Sequence, residues 1–81
     1  MVLSEKEEME EFCFLGLRMK HGINKNGFKR KYGQDIHAVY NGTIGALVEK
    51  KLLKETEEHI SMTYKGAALG NYVFQQFLLD K

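Results

Sequence analysis

The run LLKETEEHISMT, Leu52–Thr63, decides the fold, because it breaks the helical spacing kept on either side of it. Ile60 and Met62 alternate with His59 and Ser61, the two-residue period of a half-buried strand. A second short extended run, Leu53–Glu55, precedes them, and an acidic turn containing Glu57 and Glu58 lies between. This pattern predicts a small hairpin, with strands at Leu53–Glu55 and His59–Met62.

Working outward, every other segment reads as helix. Upstream, Ile36, Val39, Tyr40, Ile44, Leu47 and Val48 recur at three- and four-residue intervals straight through Asn41-Gly42. That spacing predicts one helix over 36–51 capped by Asp35; the interior glycines Gly42 and Gly45 each cost about 1 kcal/mol against alanine, and a kink or break at them is the alternative. Asn24 caps a shorter helix over 25–32, ended by Gly33, with Phe28 and Tyr32 on its apolar side and Lys25, Lys29, Arg30 and Lys31 on its polar side. Ser4-Glu5-Lys6-Glu7 matches a capping box and opens a first helix over 5–19, which His21-Gly22 ends. Downstream, Thr63 caps a last helix over 64–79 whose stripe is Leu69, Val73 and Phe77. Three helices, a two-stranded wing and a further C-terminal helix describe a mainly α winged helix, its second and third helices forming the helix-turn-helix pair.

The first helix carries more apolar surface than a small core needs. Phe12-Cys13-Phe14-Leu15-Gly16-Leu17 is uncharged throughout, and at about 100° per residue it leaves no side of the helix polar. One face reads Met9, Phe12, Leu15, Gly16, Met19, and another reads Cys13, Phe14, Leu17. An 81-residue chain forms one domain and buries only about 60% of its unfolded surface, so one of these faces is expected to remain bare as a contact site. Phe74, Leu78 and Leu79 likewise fall off the stripe of the last helix. The competing expectation is that the last helix covers the second face of the first.

Composition narrows the function. Apolar residues at 43% and charged residues at 28% fit a globular chain, not a disordered one. A formal net charge of +1 argues against a nucleic-acid binder that works by bulk electrostatics. The expected third helix offers Glu49, Lys50, Lys51 and the amide of Asn41, with no arginine to read base edges, while Glu55, Glu57 and Glu58 on the wing would repel phosphates. A free-standing DNA- or RNA-binding winged helix is therefore the alternative reading. The acidic SEKEEMEE start is unlike a signal peptide and no run approaches the roughly 18 apolar residues that span a bilayer, so a cytoplasmic location is expected.

Catalytic signals are weak. Cys13 sits mid-helix in an apolar run, which raises a thiol pKa and leaves it inert. His21, His37 and His59 lack metal-ligand spacing, the acids at 5, 7, 8, 10 and 11 suit a solvated helix start, and Gly42-Thr43-Ile44-Gly45 lacks the lysine of a phosphate loop.

Two stretches, EEMEEFCFLGLRMKHGI and MTYKGAALGNYVFQQFL, carry a family resemblance. With Glu11, Phe12, Phe14-Leu15-Gly16-Leu17-Arg18, Gly22, Phe28, Tyr32-Gly33, Asp35, Leu47, Thr63, Gly66, Leu69, Asn71, Val73-Phe74 and Phe77, the chain resembles the C-terminal domain of oxygen-independent coproporphyrinogen III oxidase-like proteins, which include radical-SAM haem chaperones. The resemblance runs over about 7–79; Cys13, Tyr64 and Gly70 depart from it, standing where methionine, proline and serine are usual.

The resemblance implies a larger protein whose N-terminal barrel holds a [4Fe-4S] cluster on a CxxxCxC motif together with S-adenosylmethionine, and which acts in porphyrin biosynthesis or haem delivery. This sequence has one cysteine, so residues 1–81 are expected to be a single non-catalytic module excised from that protein, binding none of those cofactors. The leftover face of the first helix would then seat the barrel, with Cys13, Phe14, Leu17, Arg18, Phe74 and Leu78 as the docking residues. Arg18 has three readings: pairing with a carboxylate or carbonyl across that joint, pairing with a tetrapyrrole propionate, or an ordinary interaction with the last carbonyls of its helix.

Overall fold

A computed structural model describes residues 4–79. Its order is α1 (Glu5–Arg18), β1 (Ile23–Asn24), α2 (Lys25–Tyr32), α3 (Ile36–Val39), α4 (Thr43–Glu49), β2 (Leu53–Glu55), β3 (His59–Met62), α5 (Tyr64–Ala68) and α6 (Gly70–Gln76). The fold is mainly helical with a small antiparallel sheet in the order β1-β3-β2. Both hairpin strands lie where the sequence predicts them, with Leu53 opposite Met62 and Glu55 opposite Ile60. The third strand was not expected. Residues Ile23 and Asn24 pair with Ile60 and His59, and so short a strand leaves no alternation to read.

The four side-chain caps form as expected. Ser4 and Glu7 complete the capping box, Asn24 Oδ1 accepts from the Gly27 amide at 2.8 Å, and Asp35 Oδ1 accepts from the His37 amide at 2.8 Å. Thr63 Oγ1 accepts from the Gly66 amide at 3.0 Å.

Two expected helices are each broken in two. The 36–51 segment divides because Gly42 adopts φ 82°, a left-handed conformation that cannot continue a right-handed helix. The apolar stripe survives the break: Ile36, Tyr40, Ile44 and Leu47 are buried, and Val39 and Val48 are half-buried. The 64–79 segment bends at Leu69, whose backbone leaves the helical region (φ −109°, ψ 36°). Residues spaced by four drift about 40° per step around a helix, so the 69-73-77 stripe does not share one direction. Val73 and Phe77 reach the core, whereas Leu69 remains 47% exposed.

One contiguous core holds the elements together, and α1 runs through it. Its buried residues are Met9, Cys13, Gly16 and Leu17, a stripe drawn from both faces that the sequence had distinguished. Phe12 packs edge-on against Phe28 and Tyr32 of α2, at ring separations of 5.6 and 6.0 Å. Phe14 packs edge-on against Phe74 of α6 at 5.6 Å. Thus α1 is apolar nearly all round because it has partners on several sides.

The C-terminal helices are held by a close backbone approach. Thr63 Oγ1 donates to the Lys51 carbonyl at 2.7 Å, and the Thr63 amide donates to the Leu52 carbonyl at 3.0 Å. Gly66 is buried against this turn, where a Cβ would overlap the Leu52 carbonyl oxygen; Gly45, on the open side of α4, has nothing within 4 Å of such an atom. The same substitution is therefore expected to act in opposite directions. Gly66→Ala should lose about 3 kcal/mol through backbone overlap. Gly45→Ala should gain about 0.5–1 kcal/mol through helix propensity and unfolded-state entropy. Urea denaturation of the two variants measures both, and equal effects would contradict the packing at Gly66.

Candidate functional site

The six residues expected to form a docking face do not lie together on the surface. Cys13 and Leu17 are buried in the domain's own core, which removes them from any contact surface. The reason is rotational: the core stripe of α1 uses positions 9, 13, 16 and 17, so the Cys13–Leu17 side is the one consumed. Phe14 and Phe74 are half-buried against each other, and the Arg18 guanidinium lies over the Phe74 ring, 5.4 Å from its centroid. Leu78 remains exposed, and Leu79 is drawn in, its amide donating to Glu10 Oε2 at 2.7 Å. The last helix thus covers the second face of the first.

What remains bare on α1 is Leu15 and Met19, one turn apart and 52% and 66% exposed. Two shallow depressions flank this strip. One, of about 240 Å³, is lined by Phe12, Leu15, Gly16, Met19, Gly22 and Asn24. The other, of about 230 Å³, is lined by Glu8, Glu11, Phe12, Leu15 and Lys31. Sequence spacing grouped Phe12, Leu15 and Met19 on one face, but which face would stay open depended on where α2 and α6 packed.

Burial pushes the Cys13 thiol up to about 12; the neighbouring Tyr40 hydroxyl opposes the shift and Glu10 adds to it. Tyr40 is raised as well, by burial first and then by Cys13. Its hydroxyl lies beside the thiol and has no hydrogen-bond partner of regular geometry. Cys13 is a protonated core residue, unsuited to nucleophilic attack or metal ligation.

The histidines are dispersed. His21 and His59 face each other at 6.3 Å between ring centroids, while His37 joins a separate cluster. Among the described residues no group of three or more His, Cys, Asp or Glu side chains is placed to hold a metal ion, and no helix is long and apolar enough to cross a membrane. In the His37 cluster, Glu55 Oε2 accepts from Lys25 Nζ at 2.8 Å and from His37 Nε2, which must carry the proton because a carboxylate can only accept. This ties the β2–β3 hairpin to the start of α2 and to α3. On α4, Gly45, Ala46 and Glu49 face solvent.

A further groove, of about 430 Å³, is lined by Lys50, Leu52, Lys65, Leu69 and Tyr72. Sequence reading missed it, since its walls come from the ends of α4 and β2 and from both C-terminal helices, with no motif joining them.

With this geometry in place, comparison with known proteins identifies the family. Residues 3–69 match the model of the HemN C-terminal domain. The chain belongs to the HemN C-terminal domain family. This HemN-type domain is 44% identical over 79 residues to "Heme chaperone HemW" of Lactococcus lactis subsp. lactis (strain IL1403), covering 98% of the chain and 21% of the relative. It is 37% identical over 76 residues to "Heme chaperone HemW" of Bacillus subtilis (strain 168), covering 94% of the chain and 20% of the relative. The chain therefore spans about a fifth of the length of these curated relatives. No solved structure matches it. The resemblance read from the FLGLR and TxxG…NxVF stretches is thus correct at the level of the family.

Two expectations follow. Burial raises the pKa of Glu55 while its bonds from Lys25 and His37 lower it, and the net result is a value below the ordinary carboxylate. Its stabilising contribution is full above the ordinary carboxylate range and is lost as pH falls through and below that range. Glu55→Gln should cost about 1 kcal/mol near neutrality, and the gap from wild type should narrow in denaturant melts as pH falls through and below the ordinary carboxylate range; a constant gap would show that the charge plays no part. For Cys13, alkylation by iodoacetamide at pH 8 should be negligible in the folded protein and complete in urea, and rapid labelling without denaturant would contradict its burial.

Proposed function

We propose that this HemN-type domain is a non-catalytic accessory module of a haem- or porphyrin-handling protein of the radical-SAM coproporphyrinogen oxidase-like kind, acting in the cytoplasm. On this reading residues 1–81 form one unit that docks on an N-terminal catalytic barrel. The observation that carries the docking is the Leu15–Met19 strip, left bare while the rest of the apolar run is taken up by the core. Contiguous exposed apolar surface flanked by polar residues marks a contact site, and Glu8, Glu11 and Lys31 flank this one. Family membership and the fivefold greater length of the relatives supply the partner, and the relatives' names supply haem.

The iron–sulfur cluster and S-adenosylmethionine belong to the barrel on this reading. The residues here do not fit the cluster, which needs several thiolates: Cys13 is the single cysteine of the sequence, and its buried thiol stays protonated. We also read the fold as a winged helix, with α1, β1, α2, the α3–α4 pair, β2 and β3 as its elements and α5–α6 as the addition. The electrostatics favour a protein partner over nucleic acid. Glu55 of the wing is already paired within the domain, Glu57 and Glu58 are exposed at its tip, and α4 presents no arginine, lysine, asparagine or glutamine to read a base edge.

The test titrates the isotopically labelled domain with the N-terminal region of the Lactococcus lactis relative and maps amide shifts. Shifts should gather around Phe12, Leu15 and Met19, and Leu15→Asp or Met19→Asp should weaken binding at least about tenfold, as expected for central apolar contacts. Shifts confined to Lys29, Arg30 and Lys31, indifferent to those substitutions, would refute docking through α1.

A further inference from the structure

The groove at Lys50, Leu52, Lys65, Leu69 and Tyr72 shares no residue with the α1 strip and has an uncompensated charge. Its floor and wall are apolar: Leu52 is buried, and Leu69 and Tyr72, outside the core, are 47% and 38% exposed. The charged residues lining it, Lys50 and Lys65, are both cations, no carboxylate lines it, and neither lysine has an acidic partner among the described residues. Lys50 is held in position: its Nζ donates to Tyr72 Oη at 2.7 Å and lies 5.2 Å from the centre of the same ring. The ammonium is thus placed at the hydroxyl edge of the Tyr72 ring, beside the apolar wall, where it can pair with an anion seated in the groove.

These features select a ligand class. A purely apolar molecule would cover the wall but desolvate two ammonium groups without a partner. A small polar anion would pair the lysines but leave Leu69 and Tyr72 bare. A molecule with an apolar body and carboxylates at its edge satisfies both, and the groove volume lies in the range of small-molecule sites, about 300–1,000 Å³. We propose that this groove binds a tetrapyrrole dicarboxylate, its macrocycle against Leu52, Leu69 and Tyr72 and its propionates on Lys50 and Lys65. The amphipathic carboxylate chemistry comes from the groove itself; its assignment to a tetrapyrrole rests on the functional reading above.

The test uses the 81-residue chain and mesoporphyrin IX, a metal-free dicarboxylic porphyrin, so that axial ligation by a histidine plays no part. Fluorescence anisotropy of the porphyrin reads affinity, and amide shifts read location. Binding should shift Lys50, Lys65, Leu69 and Tyr72 and weaken with added salt. Lys50→Gln and Lys65→Gln should each weaken binding about three- to fivefold, the scale of an exposed ion pair. The porphyrin dimethyl ester should bind as poorly as the wild-type acid does to the double variant, and Lys29→Gln should change nothing. No binding, equal affinity for acid and ester, unchanged affinity in the double variant, or shifts located elsewhere would each overturn the proposal. Laurate displacing the porphyrin at equal concentration would overturn the tetrapyrrole assignment. Docking through Leu15 and Met19 is read in a separate titration with a protein partner, so failure of either result is distinguishable from failure of the other.

Discussion

The structure depends on the hydrogen-bonded seam where the chain leaves β3 and turns into α5. There the Thr63 hydroxyl does two jobs, accepting from the Gly66 amide and donating to the Lys51 carbonyl, while the Thr63 amide donates to the Leu52 carbonyl. The chain on the far side of the seam is tightly turned: Lys51 adopts φ 64°, and the Leu52 amide donates back to the Leu47 carbonyl at 2.9 Å. Backbone is therefore packed directly on backbone, which only a residue without a Cβ at position 66 allows. Because these bonds fix both ends of the hairpin, they also fix the direction in which α5 and α6 return over the body of the domain.

That return is what completes the core. Phe77 of the C-terminal segment packs at a tilt against Tyr40, ring centres 4.9 Å apart, and Phe74 meets Phe14. A small domain buries too little surface to be stable with one side of its central helix open. The second face of α1 is therefore closed from within the chain. The closure is incomplete on the remaining side, because α2 ends its coverage at the Phe12–Phe28–Tyr32 aromatic cluster and leaves Leu15 and Met19 beyond it.

Charge is distributed to match. The Lys25–Glu55–His37 cluster pairs the Glu55 carboxylate of β2 where the hairpin meets α2 and α3. The lysines at positions 50 and 65 have no such partners among the described residues and lie beside an apolar wall. The domain thus presents an apolar strip with polar flanks and a cationic groove, two surfaces of different chemistry.

Much of this was legible in the residues. Ser4, Asn24, Asp35 and Thr63 marked helix starts because a cap is a local bond to an amide two or three residues on. The alternation at His59–Met62 placed the hairpin, and the FLGLR and TxxG…NxVF stretches placed the family. Gly42 marked one place where a helix could break, but the break at Leu69 was not legible; apolar spacing continues through both, and only the path of the backbone around the core decides whether a helix bends. Nor did the sequence decide which side of α1 would be bare. A helix that is apolar all round fixes its own local conformation, but its orientation is set by the neighbours that reach it first. Here α2 and α6, brought back by the sheet and the Thr63 seam, left Leu15 and Met19 outside and shut Cys13 and Leu17 within.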